Sequence, residues 1–119
     1  MIHSLRTWWK RLRAEKIKRV VIVDSMTAVP TACASDLYLV RHGSFDKRAV
    51  FDCPCGCGRR IDLNLVQTQH PSWSAKLRNG RITLAPSIWL TADPCRSHFF
   101  VRNSKIEWAD ARSPRTTKR

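Results

Sequence analysis

The sequence predicts a mainly β fold of the α+β class: a small antiparallel β-sheet domain stabilised by a metal ion, with a basic amphipathic helix before it and a disordered basic tail after it. Short runs of β-branched and aromatic residues recur along the chain with turn residues between them. Two cysteine clusters, at residues 53–58 and 95–98, have spacings typical of metal ligands. We expect the helix at residues 1–19, the domain at 20–111 and the tail at 112–119.

The N-terminal segment has the pattern of an amphipathic helix. Residues 2–16 place apolar side chains on one face, and basic side chains lie largely on the other. We interpret Trp8 and Trp9 as partner-binding residues that anchor this helix on a groove of another protein or on an anionic membrane surface. The alternative is a terminal helix that packs on its own domain.

Strand signals follow the helix at short intervals. Predicted strands lie at residues 18–23, 37–40, 49–51, 61–65, 81–84, 87–90, 99–101 and 105–108. The strands at 49–51 and 61–65 flank the first cysteine cluster, so we expect a hairpin whose tip carries these cysteines, as in a zinc knuckle. Residues 24–35 have the composition of a connecting loop. They include Cys33, which lies far from both clusters and is predicted to be a small buried or idle thiol.

Five residues of the two clusters are candidate ligands for a zinc ion: Cys53, Cys55, Cys57, Cys95 and His98. Thiolate and imidazole are the ligands that zinc prefers, and a metal site would add a useful fraction of the stability of a 119-residue chain. Ligands at alternate positions of an extended strand share a face, so all three thiols of the first cluster can turn inward.

The spacing leaves two zinc-ligand sets open. One is three thiolates with one further group, and the other is four thiolates with the imidazole of His98 outside the ligand set. Four thiols could also hold an iron–sulfur cluster, but the mixture of cysteine and histidine favours zinc. Thiols at alternate positions are too crowded for separate disulfide bonds.

The candidate catalytic residues are Ser87, Ser97 and His98. A hydroxyl and an imidazole that meet in space can form a hydrolase site, although the sequence contains no G-x-S-x-G motif around them. Neither cysteine cluster carries a Glu or Asp at the spacing of zinc peptidases or deaminases. The sequence therefore favours a structural metal site over an enzyme.

The positive charge of the chain is concentrated at its two ends. The formal net charge is +13, and residues 1–20 and 112–119 together carry eleven Lys/Arg against one Glu. These ends could bind nucleic acid non-specifically, but the remaining body shows no basic and aromatic platform. No apolar run approaches the roughly 20 residues that span a bilayer. We therefore expect no transmembrane segment and a reduced, cytoplasmic protein.

Several short motifs together resemble a known family. They are Phe51-x-Cys53-Pro54-Cys55-Gly56-Cys57-Gly58, Ile61-x-Leu63-Asn64-Leu65, Trp73, Gly80-x-Ile82-Thr83-Leu84-x-Pro86-Ser87-Ile88 and Cys95-x-Ser97-His98-Phe99-Phe100. The pattern spans about residues 37–108 and is similar to that of small bacterial zinc-binding proteins of unassigned function. Members of this family are often encoded beside ubiquitin-like proteins and their activating and conjugating-type enzymes.

The resemblance implies a zinc-binding accessory or interaction protein of a bacterial ubiquitin-like modification system. Its expected partners are the ubiquitin-like protein or its activating and conjugating-type enzymes. The alternative is a peptidase that removes or processes the modifier with zinc or with a Ser/His pair. A nucleic-acid-binding zinc protein is the third hypothesis.

Overall fold

The computed structural model describes residues 15–91 and 96–109. Within these residues the chain forms eight β-strands and one short 3-10 turn at Met26–Ala28. The strands are β1 (Arg19–Val23), β2 (Asp36–His42), β3 (Phe45–Asp52), β4 (Arg60–Asn64), β5 (Ser74–Arg78), β6 (Arg81–Trp89), β7 (His98–Arg102) and β8 (Lys105–Trp108). The prediction of a mainly β protein is therefore confirmed.

The strands form two four-stranded sheets rather than one. The first has the order β1-β2-β3-β4 and the second the order β5-β6-β7-β8. All pairs are antiparallel except β1 and β2, which run parallel. The parallel pair departs from the predicted antiparallel sheet. It is possible because residues 24–35 form a connection long enough to return the chain to the starting edge.

The two sheets share one apolar core. Its buried side chains come from both sheets and include Leu37, Leu39, Ile61, Ile82, Ile88 and Val101. Phe51 of β3 and Phe99 of β7 meet edge to face, with ring centroids 6.4 Å apart. A buried phenylalanine contributes about 1.5–3 kcal/mol relative to an exposed one, so this pair helps to fix the two sheets together.

Two features of β5 and β6 were not predicted. Residues 74–78 alternate small or apolar side chains with polar ones and contain no β-branched residue, and they form β5 only because β6 pairs with them. The sequence predicts that residues 87–90 continue the strand of residues 81–84 after a break at Pro86, whereas β6 runs through Pro86 to Trp89 without a break. The β6–β7 register shifts between Leu84 and Ile88, so Pro86 lies in a bulge where the ladder needs no N–H.

The ends of the chain lie outside the described residues. This applies to nearly all of the predicted helix, including Trp8 and Trp9, and to the predicted tail. Strand β1 begins at Arg19, at the predicted end of the helix segment. Among the residues that the structure describes, no helix has the length and apolar character needed to cross a bilayer.

Candidate active site and metal centre

The first cysteine cluster forms a compact group of thiols in the turn between β3 and β4. The Sγ atoms of Cys53, Cys55 and Cys57 all lie within 4.8 Å of one another. The turn is closed at its base by the bond from Cys53 N–H to the carbonyl of Arg59, 2.8 Å long. Gly56 lies in the left-handed region with φ of 89° and donates its N–H to the Cys53 carbonyl. The predicted hairpin with thiols at its tip is therefore confirmed.

This thiol group has the dimensions of a metal site. Three thiolates on one tetrahedral zinc, at about 2.3 Å each, lie about 3.8 Å apart, so the sulfur atoms need to approach by no more than about 1 Å. The N–H of Arg59 points at Cys57 Sγ from 3.4 Å, and such a bond favours the thiolate that binds metal. The three cysteines could therefore hold a metal ion.

Ser97, in the second cluster, contacts the first cluster. Its side chain is completely buried, and its Oγ lies 4.0 Å from Cys53 Sγ. Its carbonyl accepts the N–H of Leu90, which closes the connection between β6 and β7. Cys95, the other thiol of this cluster, lies outside the described residues. The segment that precedes β7 therefore lies against the thiol group.

His98 points to a serine rather than to the thiols. Its Nε2 lies 2.9 Å from Ser87 Oγ, at hydrogen-bond distance. Ser87 belongs to the bulged part of β6, and His98 is the first residue of β7, opposite Trp89 in the ladder. Neither residue is fully exposed or fully buried. A serine hydroxyl bonded to an imidazole is the elementary unit of nucleophilic catalysis.

Aromatic side chains hold this pair in place. The indole of Trp89 stacks on the imidazole of His98, with centroids 4.8 Å apart and planes at 11°. Phe100 lies 6.0 Å away, tilted by 32°. On the other side, Trp73 donates its indole N–H to the carbonyl of Ser87 over 3.2 Å. Both the imidazole plane and the backbone of the serine are therefore fixed.

The structure separates the residues that the sequence analysis grouped together. It brings the first three cysteines to one place and pairs His98 with Ser87, whereas the hydroxyl of Ser97 faces Cys53. Trp73 and Trp89 were not predicted to contribute. The sequence could have indicated the position of Trp89, because Trp89 lies two residues after Ser87 in a strand and such residues share one face of the sheet.

Cys33 is separate from the thiol group, as predicted. It is a buried free thiol with only 2% of its surface exposed. Its N–H and that of Ala34 both donate to Asp52 Oδ2 over 3.1 Å. Burial raises the pKa of the Cys33 thiol, and the nearby Asp52 carboxylate raises it further. Cys33 is therefore a buried thiol whose ionised form is disfavoured.

A family model described as "BubE: Bacterial ubiquitination-like system serine protease (BubE)" matches residues 22–109. No curated protein and no solved structure matches. The match confirms the predicted link to bacterial ubiquitin-like modification systems.

Proposed function

Because the chain belongs to the BubE family of bacterial ubiquitination-like systems, we propose that it is a serine protease that cleaves the ubiquitin-like modifier of such a system. Ser87 is the nucleophile and His98 the general base. The observation that carries the proposal is the 2.9 Å contact between Ser87 Oγ and His98 Nε2. The sequence favours an accessory role over a peptidase, and we propose the peptidase first because the Ser87–His98 contact and the family description support it.

The proposed reaction proceeds through an acyl-enzyme. His98 Nε2 accepts the proton of Ser87 Oγ while the oxygen attacks the scissile carbonyl, and the same proton passes to the leaving nitrogen. The peptide C–N bond breaks and an ester to Ser87 forms. Water then attacks the ester with His98 again as base, which releases the carboxylate of the modifier and restores the serine.

Trp89 orients the base in this scheme. A stacked ring prevents the imidazole from rotating away from Ser87, and such aromatic pairs contribute about 0.5–1.5 kcal/mol. Within residues 15–91 and 96–109, the His98 ring contacts Ser87, Trp89 and Phe100. We therefore assign the orientation of the His98 imidazole to its packing against Trp89 and Phe100.

We also propose that the three thiols bind Zn²⁺ as a structural site. Cys53, Cys55 and Cys57 supply three ligands, and the sequence offers Cys95 as the fourth, since His98 is engaged with Ser87. A bound zinc would supply folding energy here and would take no part in peptide cleavage. Because Cys53 contacts Ser97, the residue directly before His98, the ion would also fix the start of β7.

A binding-only accessory role is the alternative, with the ubiquitin-like protein or its activating and conjugating-type enzymes as partners. It predicts complex formation without cleavage. Binding of nucleic acid through the basic ends ranks third, because the pairing of Ser87 with His98 has the chemistry of peptide hydrolysis.

A fluorophosphonate probe tests the proposed protease directly. The probe reacts only with an activated serine, so we expect stoichiometric labelling that mass spectrometry assigns to Ser87. In parallel, a ubiquitin-like protein of such a system with an extension after its C-terminus should be cleaved at the junction. Retention of the intact fusion without cleavage, together with absence of labelling, would support the accessory role instead.

A further inference from the structure

Strand β6 extends beyond its neighbour β5. Strand β5 begins at Ser74, which lies opposite Ala85, whereas β6 continues to Trp89. Among the described residues, no strand therefore pairs with residues 86–89 of β6 on the β5 side. This short open edge includes Ser87, the proposed nucleophile.

The hydrogen-bond pattern shows which backbone groups face this edge. The N–H of Leu90 donates to the Ser97 carbonyl, 2.7 Å away, so Leu90 directs its polar groups toward β7. In an antiparallel ladder, successive residues direct their N–H and C=O groups alternately toward one neighbouring strand and toward the other. Trp89, the residue before Leu90, therefore forms a non-hydrogen-bonded pair with His98. The carbonyl of His98 accepts from Ala109 on the β8 side, as this pattern requires. The N–H and C=O of Trp89 thus point to the open edge.

The same edge continues to Ser87. Its carbonyl is on this side, because it accepts the indole N–H of Trp73, the residue just before β5. Trp73 therefore lies just before the start of β5, where the pairing of β5 with β6 stops and the open edge of β6 begins. Trp89 itself is 66% exposed.

We propose that the C-terminal segment of the ubiquitin-like modifier binds as an extended strand at this open edge. Its backbone exchanges hydrogen bonds with the N–H and C=O of Trp89. The inference rests on the proposed protease function, because a protease must hold its scissile bond in an extended segment beside the nucleophile. Unpaired strand edges are the recurrent sites at which proteins add a peptide strand.

The position of the hydrogen bonds follows from strand geometry. Ser87 and Trp89 are two residues apart, which is about 6.8 Å along a strand. A substrate strand that places its scissile carbonyl at Ser87 therefore places the residue two positions away opposite Trp89. The intervening substrate residue directs its own N–H and C=O away from the edge.

An amide-to-ester scan of the substrate tests this arrangement. The modifier is made by ligating its expressed globular part to synthetic C-terminal segments, each with one peptide bond near the junction replaced by an ester. An ester keeps the shape of the amide but removes the N–H donor and weakens the acceptor. We expect kcat/KM to fall roughly tenfold for the ester that removes the N–H of the residue opposite Trp89. The ester at the next residue towards the C-terminus weakens the carbonyl of the same residue and should have a smaller effect, and the ester at the preceding residue should change kcat/KM less than about twofold.

The results separate the two levels of the proposal. If the all-amide substrate is not cleaved, or if Ser87→Ala still cleaves it, both the protease and the strand addition are wrong. If the substrate is cleaved but no ester, or every ester alike, lowers kcat/KM, the strand addition alone is overturned.

A matched pair of variants tests the protein side of the same bonds. Both Trp89→Leu and Trp89→Pro remove the indole, but only the proline variant removes the N–H. Since this N–H does not belong to the β6–β7 ladder, proline is expected to be tolerated there, with melting temperatures of the two variants within a few degrees. At equal stability, Trp89→Pro should have roughly tenfold lower kcat/KM than Trp89→Leu. Equal kcat/KM values would contradict the proposed bond to Trp89.

Discussion

Replacement of Ser87 and of Ser97 by alanine gives the sharpest test of the site. The two serines lie on either side of the β6–β7 connection, and each substitution removes one hydroxyl. Ser87 Oγ is at 2.9 Å from His98 Nε2, whereas Ser97 Oγ faces Cys53 at 4.0 Å and is fully buried. One substitution removes the proposed nucleophile, and the other removes a buried polar contact.

The Ser87 substitution should mainly lower kcat/KM, whereas the Ser97 substitution should mainly lower stability. Ser87→Ala leaves no oxygen to form the acyl-enzyme, so we expect kcat/KM to fall by at least about 10⁴-fold. The lost hydrogen bond is half-buried and costs about 0.5–1.5 kcal/mol, or a few degrees in melting temperature. Ser97→Ala costs a similar amount of stability but leaves the Ser87–His98 contact intact. Its kcat/KM should therefore stay within about threefold of the wild-type value.

Two measurements on each variant decide the outcome: cleavage of the extended modifier under single-turnover conditions, and thermal unfolding followed by circular dichroism. Fluorophosphonate labelling gives a third readout that does not depend on the substrate. If Ser97→Ala removed labelling and cleavage at near wild-type stability while Ser87→Ala retained them, the assignment of the nucleophile would be wrong.

Three further predictions concern the surroundings of the site. Trp89→Leu removes the ring stacked on His98 and should lower kcat about threefold to tenfold. Trp89→Phe should recover most of this loss. An unchanged steady-state kcat for the leucine variant would disprove the orienting role of Trp89. The Cys55→Ser variant should bind less zinc, as measured by elemental analysis, and should have the melting temperature of chelator-treated wild-type protein. Full zinc content in this variant would show that the Cys55 thiol is not a ligand. The hydrogen bond from Arg19 holds the pKa of Asp36 below its ordinary value, so the stability from this pair is present above about pH 4 and is lost as the pH falls through the folded-state pKa. Asp36→Asn should therefore show a shallower loss of stability in urea unfolding between pH 7 and pH 3, and equal slopes would refute the contribution of the pair.

Local patterns in the sequence predicted most of the strands. Runs such as residues 37–40 and 105–108 combine β-branched or aromatic residues with turn residues beside them, and these properties act over a few neighbours only. The same local logic predicted the cysteine hairpin, because β3 and β4 are joined by a turn with two glycines at positive φ. Strand β5 was missed because its residues have weak intrinsic preference and depend on β6 for pairing.

The assignment of His98 shows what spacing alone leaves undecided. In the sequence His98 stands three residues after Cys95, which is a common spacing for two metal ligands. In the fold the register between β6 and β7 turns its Nε2 to Ser87. That register depends on a bulge around Pro86 that no local pattern specifies.

By itself, the sequence determined the mainly β character and the thiol group, because each depends on residues that are close together in the chain. It also determined the link to ubiquitin-like modification, because the resemblance depends on the order and spacing of motifs and not on how they pack. The tertiary structure alone decided which serine meets the histidine. It also decided that Trp73 and Trp89 flank the pair and that, within the part of the chain that the structure describes, no strand pairs with β6 beside it on the β5 side. These properties depend on how two distant segments align in one sheet, and strand alignment is set by the whole core rather than by any short stretch of residues.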